Sequence, residues 1–151
     1  MAKRFLIVTA TVFALIAASC GTEQCIDATI TLSFVSFPAA ATDSIILKQY
    51  FKNSKFDSLI QLTNITKATG VFNHSGDTLT IEQPYLDIGY DYEVFLPAEN
   101  KLFKISNIIT EQREVHLGLS MDKTECINPM KSYTLNRQVV STGSYFFYLH
   151  S

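Results

Sequence analysis

The sequence predicts an all-β protein, a two-sheet antiparallel β-sandwich of about seven or eight strands. Three observations lead there. Ile26–Phe34 alternates strictly, with Ile26, Ala28, Ile30, Leu32 and Phe34 on one face and Asp27, Thr29, Thr31 and Ser33 on the other. Successive side chains of a strand point to opposite faces, so this segment offers one apolar and one polar face. Further runs rich in β-branched and aromatic residues follow, separated by turn-forming segments at intervals of about 8–12 residues. No later stretch combines helical periodicity with capping signals.

The elements follow in order. Pro38 and the run Ala39–Ala41 break the first strand. Ser44–Phe51 (SIILKQYF) is β-prone and forms the second; the polar segment Lys52-Asn53-Ser54-Lys55 turns the chain into a third over Phe56–Leu62. Val71-Phe72 and Thr78–Ile81 flank the polar, Gly-bearing segment Asn73–Asp77, which reads as a hairpin loop. Tyr90–Leu96, Leu102–Ile109 and Glu114–Leu119 are the next strands, and Ser132–Leu135 and Val139–Leu149 the last. Lys101–Glu111 can be drawn as a helix, but Ile105, Ile108 and Ile109 without a cap favour a strand.

One segment is more specific. Leu86-Asp87-Ile88-Gly89-Tyr90-Asp91-Tyr92-Glu93-Val94 has the form L-x-x-G-x-x-Y-x-V. It resembles the tyrosine corner of immunoglobulin-like and fibronectin type III domains, with Ile88 where Pro is usual. The resemblance implies that Gly89 makes the turn, that the Tyr92 hydroxyl bonds back to upstream backbone, and that Leu86 and Val94 face the core. It also implies an immunoglobulin-like Greek key.

The N-terminus reads differently. Lys3 and Arg4 precede an uncharged apolar run, Phe5–Ala18, and polar sequence resumes at Gly21. This is the pattern of an export signal, and the run is shorter than the ~20 residues of a spanning helix. Ile16-Ala17-Ala18-Ser19-Cys20 resembles the lipobox of bacterial lipoprotein signal peptides, with Ala17 where Leu is commoner; the chain as a whole would then be similar to the small envelope lipoproteins common in Bacteroidota. That resemblance implies a cleaved signal helix over residues 1–19, a diacylglycerol on the Cys20 sulfur, a tether over residues 20–24 and a single sandwich domain over residues 25–151. It implies an address in the bacterial cell envelope, the outer membrane in preference to the inner, with the membrane as partner through the lipid. Cleavage removes Lys3 and Arg4, leaving ten basic against fourteen acidic residues in the mature chain.

The chain has three cysteines, Cys20, Cys25 and Cys126. With lipid on Cys20, two thiols remain in an oxidising compartment, where a pair closes. The expected disulfide is therefore Cys25–Cys126. Without lipid, Cys20–Cys25 with Cys126 free is the alternative. His74, His116 and His150 are scattered singly, so no metal site is expected.

No nucleophile elbow, Gly-rich phosphate loop, HExxH or calcium loop occurs, so no catalytic residue or cofactor is assigned. The absence of a basic stripe argues against nucleic acid. The acids Glu82, Asp87, Asp91 and Glu93 are solvated strand ends on one reading and a carboxylate pair for glycan or lipid hydrolysis on another. Asn64-Ile65-Thr66 spells a glycosylation sequon, a weak signal in a bacterial chain. Gly143–His150 places aromatic residues on both faces: Tyr145 and Phe147 on one, Phe146 and Tyr148 on the other. Such a strand is either buried on both faces or an edge that offers one aromatic face to a partner. The expected role is an anchored, non-catalytic binding or structural module that meets an envelope protein or glycan. A small envelope hydrolase and a subunit of a surface polymer are the alternatives.

Overall fold

A computed structural model describes residues 25–27, 29–116 and 124–151. The signal helix, Cys20 and the tether lie outside the described residues. Along the chain come β1 (Ile26–Asp27), β2 (Ile30–Val35), a 3-10 turn over Ala39–Thr42, β3 (Ser44–Phe51), β4 (Leu59–Thr66), β5 (Val71–Ser75), β6 (Thr78–Leu86) and β7 (Tyr90–Leu96). After a 3-10 turn over Pro97–Glu99 come β8 (Lys101–Thr110), β9 (Arg113–His116), β10 (Thr124–Asn128), β11 (Met130–Leu135), β12 (Gln138–Ser141) and β13 (Phe146–His150).

Two large sheets pack face to face into a β-sandwich. One has six strands in the order β12-β11-β8-β7-β3-β4; the other has four, β13-β2-β6-β5. A small third sheet, β1-β10-β9, carries the disulfide-bearing ends. The core lies between the large sheets. Ile30, Leu32, Phe34, Ile81, Phe147 and Leu149 enter it from the four-stranded side. Ile45, Leu47, Tyr92, Val94, Phe103 and Ile105 enter from the six-stranded side. The period-two spacing of each set produces this, since every second residue of a strand shares a face.

The structure corrects several details. There are more and shorter strands than expected. Ile26–Phe34 is divided between β1 and β2, which belong to different sheets. Val139–Leu149 is divided between β12 and β13, and the third strand starts at Leu59, not Phe56. Phe56 has φ 65° and lies in the turn. Among the described residues two pairings are parallel, β1 with β10 and β13 with β2. The polar face of β2 is covered as well: Thr31 and Ser33 are buried. Their cross-strand neighbours in β13 are Phe146 and Tyr148, and the Ser33 hydroxyl meets the Thr80 hydroxyl at 3.0 Å. Small residues between larger neighbours are shielded even on an outer face.

Candidate functional site

The expected cysteine pair is joined. Cys25 and Cys126 form a disulfide with their Cα atoms 4.6 Å apart. It fixes the first described residue beside β10, where Ile26 and Asp27 pair with Ile127 and Asn128. Downstream, the Tyr92 hydroxyl donates to the Asp87 carbonyl and accepts from the Asp87 N–H, both at 2.8 Å. Leu86 and Val94 are buried, and Gly89 donates its N–H to the Asp87 carboxylate at 2.7 Å. Burial pushes the Tyr92 phenol well above its ordinary pKa, so it stays protonated as the donor of this tie.

The outer face of the six-stranded sheet holds the most organised chemistry. Antiparallel register sets Lys48, Glu93 and Lys104 in one row across β3, β7 and β8. Glu93 is buried there. Its carboxylate meets Lys104 Nζ at 2.8 Å and Lys48 Nζ at 3.5 Å, and accepts the Tyr50 hydroxyl at 2.8 Å. Burial alone would raise the Glu93 pKa; the bonds from Lys104 and Tyr50 and the two ammonium charges outweigh it, and the pKa is lowered. Burial, then the bond to Glu93, pushes the Tyr50 hydroxyl up to about 12. An acid held ionised by three partners is a poor proton donor, so this cluster braces the sheet.

Beside it opens a cavity of about 1030 Å³, over β7, β8 and the turn joining β11 to β12. The β3–β4 connection forms one wall. Within it Phe56 meets Tyr50 edge-on, with centroids 5.5 Å apart, and Lys104 Nζ sits 4.8 Å from the centre of the Phe56 ring. Lys52 secures this connection by donating to the Ile88 and Ile108 carbonyls. Asn136 forms the opposite wall: its N–H donates to the Lys104 carbonyl at 2.9 Å, and its side chain accepts the Lys104 N–H at 2.8 Å.

The backbone around this cavity is unusual. Among the described residues, eight that are not glycine have positive φ, and six of them line it: Asn53, Lys55, Phe56, Asn107, Asn136 and Arg137. Asn tolerates the left-handed region; for Lys, Phe and Arg it costs about 1–2 kcal/mol each. Backbone strain of this kind gathers at functional sites. Asp91 also lines the cavity and is only 2% exposed. Its Oδ2 accepts the Asn53 N–H at 2.9 Å, and its buried Oδ1 has no hydrogen-bond partner.

Of the four acids named from sequence, only Asp91 and Glu93 share this face. Glu82 lies on the other large sheet and accepts from Asn73 at 3.1 Å; Asp87 is engaged in its turn. No protein family, curated protein or solved structure matches this chain. The remaining sequence candidates are dispersed. His74 lies on β5, not in a loop, because the β5–β6 turn is only Gly76-Asp77, with Gly76 at φ 60°. His116 is on β9 and His150 is exposed at the end of β13. Among the described residues, no three His, Cys, Asp or Glu side chains converge as metal ligands. Asn64 is exposed on β4.

The aromatic strand β13 is an edge strand of its sheet and is not buried on both faces. Phe147 and Leu149 fill the core, whereas Tyr148 is 38% exposed beside a half-buried Phe146. The outward backbone of this edge is closed by side chains. Ser144 Oγ meets the Phe146 N–H and carbonyl. Tyr133 Oη does the same for Tyr148, and Lys101 Nζ donates to the His150 carbonyl. Such capping blunts an edge against strand addition.

The sequence reading missed Phe56, Lys104, Asn136 and Arg137 as neighbours. One signal was there to be used: Asn136-Arg137 connects β11 to β12 as a two-residue turn, and both residues have positive φ. That is the type I′ hairpin, in which Gly is favoured second.

Proposed function

We propose that the chain is the precursor of a bacterial cell-envelope lipoprotein. Residues 1–19 are its export signal, Cys20 carries the lipid, and residues 25–151 form a non-catalytic binding module held at the membrane surface, preferentially that of the outer membrane. The observation that carries this reading is the Cys25–Cys126 disulfide. It suits an oxidising compartment, and it leaves Cys20, at the end of the lipobox-like segment, as the one cysteine free to take lipid. Each buried acyl CH₂ stabilises anchoring by ~0.8 kcal/mol, and two or more chains make it lasting. The stretch from Cys20 to Cys25 spans at most ~18 Å when extended, so the domain would stand close to the headgroups. Support for a non-catalytic role comes from three of the four acids: Glu82 and Asp87 are engaged away from the cavity, and Glu93 is locked in ion pairs.

The test is radiolabelled palmitate fed to bacteria expressing the full chain, followed by membrane fractionation. The wild type should take up label and sediment with the outer membrane; Cys20→Ala should do neither. Equal labelling of the two proteins, or wild type released in soluble form, overturns the reading.

A further inference from the structure

We infer that the cavity over β7 and β8 binds an acidic saccharide, a hydroxyl-rich ring bearing a carboxylate. The inference rests on the reading of this chain as an envelope binding module and names the ligand class. Three features of the cavity select that chemistry. Asp91 supplies a buried acceptor oxygen with no partner, which asks for a hydroxyl or ammonium donor. Lys55 and Arg137 line the same cavity as exposed cations, which disfavours an ammonium ligand and favours one carrying an anion. Phe56 and Leu102 offer an apolar surface to the C–H face of a sugar ring, while Asn107 and Asn136 offer amides to its hydroxyls. A ligand with donors, a carboxylate and an apolar face at once is an acidic sugar.

Arg137 gives the sharpest sign of selection for binding over stability. It holds the second position of the type I′ turn at φ 74°, where glycine would sit without steric penalty. A bulky cation there strains the turn and places a guanidinium on the cavity.

The experiment uses the full-length protein purified from membranes in detergent, with calorimetric titration by a hexamer of galacturonic acid. The uncharged maltohexaose and inorganic phosphate serve as comparison probes. Saturable one-to-one binding of the acidic hexamer is expected, at least tenfold tighter than either comparison probe. Arg137→Gly should weaken it tenfold or more with no loss of thermal stability, and Asp91→Asn should do likewise. Because Arg137→Gly removes strain, a folding failure of Asp91→Asn leaves the test intact. Three results overturn the inference: no saturable binding of the hexamer, equal binding of phosphate or maltohexaose, or full affinity in Arg137→Gly. Acylation of Cys20 is read by mass on the same sample. Acylated protein that ignores the hexamer refutes the ligand assignment alone; unacylated protein refutes the anchoring reading alone.

Discussion

Replacing Cys25 and Cys126 together by Ser removes the cross-link and leaves two small polar side chains where the sulfurs met. The bridge joins residues 101 apart in sequence. In the chain-entropy relation a loop near that length restricts the unfolded ensemble by about 4.7 kcal/mol at 25 °C. Unfolding entropy of about 2.1 cal/mol/K per residue over the sandwich domain converts this into a Tm lowered by roughly 15–20 °C. The effect should be larger at the ends, because the bridge holds the two-residue β1 beside β10, a pairing too short to persist alone. The assay is differential scanning calorimetry of wild type and double variant, each with and without reductant. The wild type in reductant should melt with the double variant, and the variant should ignore reductant. A difference below ~3 °C between the oxidised wild type and the variant would show that the bridge does not brace this fold.

Other perturbations follow from the same geometry. Tyr92→Phe removes both bonds to the Asp87 backbone and should cost about 1–3 kcal/mol in urea unfolding, with little change in slope. The Glu93 pKa is lowered in the fold from its ordinary 4.5. Its contribution is therefore fully present above about pH 4.5 and is lost as pH falls through the lowered folded value. Denaturant midpoints measured from pH 6 to pH 2 should fall through that acid window, and Glu93→Gln should flatten this limb. Phe147→Ala empties a fully buried site against Tyr133 and should cost about 3–5 kcal/mol, whereas Tyr148→Ser on the outer face of the same strand should stay within ~1 kcal/mol. Equal losses in the two variants would contradict the assigned facing of β13.

The fold class was legible because alternation is a local signal. Ile30, Leu32 and Phe34 declare an inward face, and Tyr92 and Val94 declare another. The disulfide was legible once Cys20 was set aside. The parallel pairing of β13 with β2 was not, because strand neighbours separated by most of the chain leave no mark in either segment. β10 went unseen because Thr124–Asn128 lacks an alternating apolar set. At the cavity, Asp91 and Glu93 stood out as acids, but Lys48 and Lys104 reach Glu93 only through the register of three strands. The aromatic ring of Phe56 favours a strand; the turn imposes a left-handed backbone on it instead. Tertiary context, not local preference, assembled this site.

The central claim is that one sulfur bears acyl chains while the other two hold each other. Intact and peptide-level mass spectrometry of the protein taken from bacterial membranes addresses it directly. The account predicts a mature chain beginning at Cys20, heavier by a thioether-linked diacylglycerol, with Cys25 and Cys126 recovered as one cross-linked peptide pair. A chain that starts elsewhere, an unmodified Cys20, or Cys20 found bonded to Cys25 would contradict it.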